Sequence, residues 1–244
     1  MDHKRFVGII RKDMDCSLRL HYSKKSHLSI RNRYRHLSET FRDILSLAEE
    51  HFYDEAQAYV ETRDKQNAGK LEKIQQEALD EIKTCIDETD CLSMHKIKYE
   101  IIPASSFSAG TYLIGDSDID FAVVVKKIDP HKVACVSNAL GQCQFIYNDL
   151  RNRNNPRHTH WVFQKYIDNV QIEAKVRDMD GFRQILKMHT YLDNEMPQKD
   201  RVLITYIKYL LKQMNKKAYE RFKMFYYCHG GYMGKCRELM YDLR

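Results

Sequence analysis

Long apolar segments are missing from this chain of 244 residues, and no stretch reaches the length of a transmembrane helix without a charge. The start of the chain also lacks the apolar core of a secretory signal, because polar and charged residues interrupt it: Asp2, His3, Lys4 and Arg5. Glycine and proline are scarce, at nine and four residues, which argues against long flexible linkers. We therefore expect one large or two small domains with a buried core, in the cytoplasm or nucleus.

Paired cysteine motifs are also missing. The seven cysteines contain no Cys-x-x-Cys pair, and no histidine stands at zinc-finger spacing from two of them. They are scattered along the chain: Cys16, Cys85, Cys91, Cys135, Cys143, Cys228 and Cys236. An odd number without a motif favours reduced thiols in an intracellular protein.

Positive charge is present, and it is concentrated at the start of the chain. Residues 1–36 hold ten Lys and Arg against three Asp, a charge of +7, so the rest of the chain carries −1 of the total of +6. Histidine and tyrosine residues are interleaved with these cations, a pattern that suits the phosphate backbone of a nucleic acid. A solvated basic face or a mobile arm explains the same pattern equally well.

Apolar residues recur at helical spacing over residues 38–63 and 70–88, which predicts a helical hairpin that serves as scaffold. From about residue 96 the pattern becomes short and alternating, as is typical of strands. Asp168-Asn169 lies between two such segments and predicts a hairpin turn. We predict strands at 96–102, 121–125, 161–167 and 170–176, helices at 130–140, 180–190 and 200–227, and an exposed loop at 148–160.

Two carboxylates stand at the start of the apolar strand 121–125. Asp118 and Asp120 are two residues apart, so on a strand both side chains point to the same face. Like charges at that distance repel unless a cation lies between them, and Mg²⁺ prefers oxygen ligands. An EF-hand is excluded, because its glycine and glutamate positions fall on Phe121 and Lys127. On spacing alone, an acidic turn without a metal explains the pair as well.

Glu173 is the best candidate for a third carboxylate. It lies in the middle of the strand predicted at 170–176, between apolar residues, and a neighbouring strand could bring it to the pair. Asp168 and Asp178 are weaker candidates, because they flank turns. Upstream, Ser106, Gly110 and Thr111 could cradle phosphate groups, since glycine allows close backbone approach and small hydroxyls bind anions.

The run Ser106-Phe-Ser-Ala-Gly-Thr-Tyr-Leu-Ile-Gly-Asp-Ser-Asp-Ile-Asp120 resembles the signature of the DNA polymerase β-like nucleotidyltransferase superfamily. It is most similar to the form found in archaeal-type CCA-adding enzymes and their poly(A) polymerase and oligoadenylate synthase relatives. It departs from that form at Ser105, where the family usually has glycine. The resemblance implies an α+β protein with a nucleotidyltransferase fold, in which a small mixed sheet with flanking helices lies between N-terminal helices and a C-terminal helical region.

A fainter resemblance extends downstream. Lys208 and Lys212 lie one helical turn apart and match family lysines that contact the triphosphate, although a solvated helix face is the ordinary explanation of such a pair. Tyr219 falls loosely where relatives place a base-stacking tyrosine. Residues 230–234 with Glu238-Leu239 are similar to a segment of the second domain of CCA-adding enzymes. The resemblance divides the chain into a basic arm and helical hairpin (1–95), a catalytic domain (96–178) and a nucleotide- and substrate-binding helical region (179–244).

The activity that the resemblance implies is template-independent transfer of a nucleoside monophosphate from a nucleoside triphosphate to an acceptor hydroxyl. We expect this acceptor to be an RNA 3′ end. It implies two Mg²⁺ or Mn²⁺ ions held by Asp118, Asp120 and Glu173, with no membrane partner. Two alternatives stay open: a synthase of the oligoadenylate or cyclic-dinucleotide type, and a nucleotide- or RNA-binding module without catalysis. The identity of the added base and the oligomeric state have no signal in the sequence.

Overall fold

A computed structural model gives the fold and describes residues 1–22, 30–89, 98–104, 106–113, 115, 118–125, 130–148, 160–178 and 195–229. Within these ranges the protein is of the mixed α+β class that the sequence predicts, with six helices and one five-stranded sheet. The helices are α1 (His3–Tyr22), α2 (Ile30–Asn67), α3 (Lys70–Asp87), α4 (Pro130–Gln142), α5 (Gln198–Met214) and α6 (Lys216–His229). The strands are β1 (Tyr99–Pro103), β2 (Ile119–Val125), β3 (Ile146–Tyr147), β4 (His160–Ile167) and β5 (Val170–Asp178).

The chain divides into two compact units. A helical unit contains residues 1–65 and 187–244, and a sheet unit contains residues 66–186. The sheet unit is therefore one continuous segment, whereas the helical unit is made from both ends of the chain.

Helix α1 opens the helical unit, and the charge pattern alone did not predict it. An apolar residue at every fourth position faces inward, and Phe6, Ile10 and Met14 are completely buried. Phe6 packs against Phe52 of α2, with ring centroids 4.8 Å apart. The cations of α1, such as Arg11, stay on the exposed side. The first half of the basic segment is therefore an amphipathic helix and not an irregular arm.

The sheet has the strand order β1-β2-β5-β4-β3, in which β2 and β5 run parallel and all other neighbours are antiparallel. Alternate residues of β2, including Phe121 and Val123, face helices α3 and α4 and share one buried core with them. Helix α3 contributes its buried row of Ile74, Ala78, Ile82 and Ile86. This packing leaves the other face of β2 and β5 for the polar residues described below.

Most predicted elements are confirmed with shifted ends. The predicted hairpin is β4 and β5, and its turn residues Asp168 and Asn169 have φ angles of 49° and 64°, as a two-residue turn of this kind requires. The helix predicted at 38–63 extends over Ile30–Asn67. The helix predicted at 200–227 is wrong as one element, because it is divided at Asn215, which accepts a hydrogen bond from the Ala218 N–H and begins α6. The helix predicted at 180–190 and most of the loop at 148–160 lie outside the described residues.

The expectation that all cysteines are reduced is wrong for one pair. Cys85, in α3, and Cys143, which follows α4, form a disulfide with Cα atoms 6.2 Å apart. Sequence spacing could not indicate this pair, because 58 positions separate its members and only the packing of α3 beside α4 brings them together. Cys16 is a free, exposed thiol, as expected.

No helix in the described part of the chain is both long enough and apolar enough to cross a membrane.

Candidate metal centre

Strand β2 positions the first two carboxylates. Asp118 comes directly before the strand, and Asp120 is its second residue. The residues on either side of Asp120 point into the helix-covered core, where Ile119 and Phe121 are buried. Asp120 therefore points to the opposite face, together with Ala122 and Val124. The apolar strand fixes the direction of both carboxylates.

Strand β5 brings the third carboxylate to this pair. It runs parallel to β2 in a register that sets Glu173 directly beside Asp120. Side-chain oxygens of Asp118, Asp120 and Glu173 all lie within 4.8 Å of one another. Glu173 is fully buried, and the two aspartates are partly buried. The structure thus brings together the three residues that the sequence singled out, and we call them the carboxylate triad.

Lys175 adds a positive charge that the sequence analysis missed. Its Nζ lies 2.7 Å from Oδ1 of Asp120 and 3.2 Å from Oε2 of Glu173, and its side chain is 18% exposed. Lys175 follows Glu173 by two positions on β5, so the alternation of the strand points both side chains to the same face. This alternation is present in the sequence, and it predicts that Lys175 lies on the same face of the strand as Glu173.

Burial and charge act against each other in this cluster. Burial raises the pKa of Asp120; the Lys175 ammonium opposes that rise, the Glu173 carboxylate adds to it, and the net pKa is raised. Burial alone would lower the pKa of Lys175, but the carboxylates of Asp120 and Glu173 outweigh burial and raise it. The cluster therefore strongly favours an added positive charge beside Asp120.

Neighbouring side chains orient Glu173, the fully buried member of the triad. Gln171 donates a hydrogen bond from Nε2 to Oε1 of Glu173 at 2.8 Å, so both oxygens of this carboxylate are engaged, one by an amide and the other by Lys175. Arg177 continues the same row of β5, and its Nε has no hydrogen-bond partner in the described part of the chain. Glu173 is thus held in one orientation before any ligand arrives.

The donor set fits a hard divalent cation. Carboxylate oxygens are the ligands that Mg²⁺, Mn²⁺ and Ca²⁺ prefer, and three of them converge here from two adjacent strands. With all three ionised and Lys175 counted against them, the cluster keeps a formal charge of −2. One divalent ion would neutralise that charge. The triad could therefore hold a metal ion.

The proposed phosphate turn begins at the same end of the sheet. The Ala104 N–H, just after β1, donates to the Asp120 carbonyl at 2.7 Å, so the chain leaves the sheet beside the triad and enters the turn that contains Ser106. Gly110 and Gly115 have φ angles of 69° and 72°, which explains why these positions of the motif are glycines.

Within this turn, Thr111 is buried, and both its N–H and its hydroxyl contact a backbone carbonyl. Its N–H donates to the Ser106 carbonyl at 2.8 Å, and its hydroxyl contacts the same oxygen at 3.5 Å. The Gly110 N–H donates to the Phe107 carbonyl. Both residues therefore shape the turn, and of the three predicted phosphate contacts Ser106 has the partly exposed side chain. Ser105 lies outside the described residues.

Lys208 and Lys212 lie on α5 in the helical unit, whereas the triad belongs to the sheet unit. Lys208 is buried at 2% exposure, so a solvated helix face does not account for it. Lys212 is 5.4 Å from the ring centre of Tyr219, and Lys223 is 5.2 Å from the same ring. Burial first, and the charge of Lys223 second, lower the pKa of Lys212. Tyr219 is 7% exposed, so its ring packs within the helical unit.

The weaker carboxylate candidates stay apart from the triad. Asp168 is exposed in the β4–β5 turn. Asp178 is the last residue of β5 and pairs with Val125, at the opposite end of β2 from Asp120. The similar segment at 230–234 and Glu238-Leu239 lies outside the described residues.

In comparisons with known proteins, no family model, no curated protein and no solved structure matches this chain.

Proposed function

We propose that this chain is a metal-dependent nucleotidyltransferase with a nucleotidyltransferase-type sheet. The observation that carries the proposal is the convergence of Asp118, Asp120 and Glu173 from two parallel neighbouring strands. Asp118 and Asp120 belong to the segment that resembles the nucleotidyltransferase signature, whereas Glu173 was predicted from the apolar residues that flank it on a second strand. A shared site for all three supports a catalytic centre over an acidic turn.

The reaction is attack of an acceptor hydroxyl on the α-phosphorus of a nucleoside triphosphate. A new P–O bond forms, the bond between the α-phosphorus and the oxygen bridging to the β-phosphate breaks, and pyrophosphate leaves with that bond's electron pair. The hydroxyl proton passes to a carboxylate of the triad or to water. Bound Mg²⁺ or Mn²⁺, two ions by analogy, would supply positive charge to the attacking and leaving oxygens.

Each carboxylate of the triad has a defined part in this proposal. Asp118 and Asp120 would hold both ions, and Glu173, fixed by Gln171 and Lys175, would hold the ion on the side of the attacking hydroxyl. Burial around Glu173 excludes water and strengthens these charge interactions.

The turn that contains Ser106 would bind the triphosphate. Ser106, in this turn shaped by Gly110 and Thr111, would contact phosphate oxygens. For Lys208, Lys212 and Tyr219, nucleotide contacts stay predictions from the resemblance. Lys212 packs against the Tyr219 ring. The acceptor is proposed to be the 3′ end of an RNA, because the basic segment 1–36 suits a phosphate backbone.

The central test replaces each triad carboxylate by its amide, which preserves shape and removes charge. Asp118→Asn, Asp120→Asn and Glu173→Gln should each lower transfer of labelled nucleotide at least about a hundredfold with Mg²⁺ or Mn²⁺ present. The matched control is Asp168→Asn, an exposed carboxylate on the same hairpin whose left-handed backbone asparagine also adopts. Transfer at the wild-type rate by any folded triad variant would refute the proposal.

A second assay separates the proposed activity from its alternatives. The protein is incubated with each nucleoside triphosphate in turn, with and without a single-stranded RNA. Elongation that requires RNA supports the tailing reaction, and soluble oligonucleotides without RNA indicate a synthase. Nucleotide or RNA binding without any product indicates a binding module. The same assay identifies which base is added.

A further inference from the structure

A cavity inside the helical unit lies outside the carboxylate triad and the proposed triphosphate contacts. It is formed by one side of α1 and the beginning of α6, and its volume is about 540 Å³. We call it the basic cavity, after the charged residues that line it: Arg11, Lys12, Asp15, Arg19, Lys217 and Arg221.

The basic cavity has far more positive than negative charge. Five cations line it against one carboxylate, Asp15, and the Arg221 guanidinium already forms an ion pair with that carboxylate. No other acid lines the cavity within the described residues. Arg11, Lys12 and Lys217 are exposed there. An excess of cations around one cavity gives it a positive potential, which attracts anions.

The start of α6 adds to this positive potential. Asn215 and Ala218, which line the cavity, are the capping residue and the third residue of this helix. The Asn215 side chain satisfies the Ala218 N–H at 2.9 Å, which fixes where the helix begins. The first turn of a helix carries the positive end of its dipole and N–H groups suited to anions. Side-chain cations and a helix start therefore meet in one cavity.

We propose that the basic cavity binds consecutive phosphate groups of a single-stranded nucleic acid. Arg11 and Arg19 are eight residues apart on α1, which places them about 12 Å apart along the helix axis. That separation exceeds one phosphate group and suits a strand lying along the helix. The assignment of this strand as the RNA acceptor rests on the proposed function, whereas the binding itself does not.

The experiment measures binding of the full-length protein to a fluorescent single-stranded RNA by anisotropy. The test variant is the double substitution Arg11→Gln with Arg19→Gln, because both side chains are exposed and line the cavity. The matched control is Arg42→Gln with Lys65→Gln, two exposed cations of α2 in the same unit that do not line the cavity. Circular dichroism confirms that each variant is folded.

The expected result is a loss of affinity of roughly tenfold for the test variant, since charged phosphate contacts are each worth a severalfold effect. The slope of log affinity against log salt should fall by about 1.4, because each contact with a single strand contributes about 0.7. The control variant should lose less than about threefold. Equal losses in the two variants would show diffuse attraction to a basic protein and would overturn the proposal.

Two further arms identify the source of the phosphate groups and separate this proposal from the enzymatic one. Displacement of the RNA by inorganic tripolyphosphate at equal phosphate concentration would show that the cavity is a site for a short polyanion. That result would overturn the proposal of a bound nucleic-acid strand. The Asp168→Asn variant, which is also the control of the transfer assay, should bind RNA as tightly as the wild type does. If transfer is absent from every sample while the cavity variant still weakens RNA binding, the proposed function fails and the cavity proposal stands.

Discussion

Lys175 gives the carboxylate triad a cation that is part of the chain. Its ammonium lies between Asp120 and Glu173, within 3.2 Å of both, in the region that an incoming metal ion would share. Without it, three carboxylates within 4.8 Å would repel one another in a largely buried place. Lys175 therefore stabilises the site when no metal is bound and competes with a metal that enters.

The substitution Lys175→Met should have opposite effects on stability and on metal binding. Stability without metal should fall by about 3–5 kcal/mol, because buried carboxylates lose their counter-ion. Affinity for Mn²⁺ should rise at least about tenfold, because a like charge near the ion is removed. Thermal unfolding with and without Mn²⁺, and Mn²⁺ titration followed by electron paramagnetic resonance, measure the two effects.

Lys165 provides a matched control for that substitution. Its Nζ pairs with Glu81 at 2.6 Å and its side chain is 17% exposed, close to the 18% of Lys175, but it does not contact the triad. Lys165→Met should lower stability and leave Mn²⁺ affinity as in the wild type. Equal Mn²⁺ affinity in the Lys175→Met variant and the wild type would show that the ammonium and the metal do not compete.

The sequence predicted the acidic part of this site and missed its basic part. Asp118 and Asp120 were found because an apolar strand follows them, and Glu173 because apolar residues flank it on a second strand. Lys175 was missed because a lysine on a strand usually faces solvent. Only the register that sets β5 beside β2 turns this lysine into a neighbour of Asp120.

Among the elements, strands β2, β4 and β5 were predicted well because each has a physical signal of its own. After Asp120, β2 is continuously apolar and buried on both faces, whereas β4 and β5 alternate around a turn of Asp168 and Asn169. Helix α1 was missed because its apolar row is narrow and its charges dominate the composition. The break at Asn215 was missed because asparagine inside an apolar pattern signals a cap only when the chain turns there.

The disulfide between Cys85 and Cys143 links α3 to the end of α4 beneath the sheet. Because it closes a segment of 58 positions, it restricts the unfolded chain and should stabilise the protein by about 2–4 kcal/mol. A reducing agent should lower the midpoint of urea unfolding accordingly. Replacing both residues by alanine should lower it to a similar extent and remove the response to the reducing agent.

Cys16→Ser is the control for the disulfide, since Cys16 is exposed and free. This variant should unfold at the wild-type midpoint and keep the full response to reduction. If the wild-type protein unfolds at the same urea concentration with and without reducing agent, α3 and α4 are held by packing alone.

At the scale of the whole molecule, the two proposals assign metal binding and nucleic-acid binding to different units. All three triad residues and Lys175 lie in the sheet unit, residues 66–186, whereas the basic cavity lies in the helical unit. The sheet unit also has its own buried core of β2, β4 and β5 against α3 and α4, closed by its own disulfide. A continuous segment with a core of this kind is expected to fold by itself.

We therefore expect residues 66–186, produced alone under oxidising conditions, to unfold cooperatively and to bind Mn²⁺ with an affinity close to that of the full chain. The segment lacks the basic cavity, so it should not bind single-stranded RNA. The Asp120→Asn form of the same segment serves as control and should fold without binding Mn²⁺. Cooperative folding with no Mn²⁺ binding by the unaltered segment would mean that the triad alone does not make the metal site.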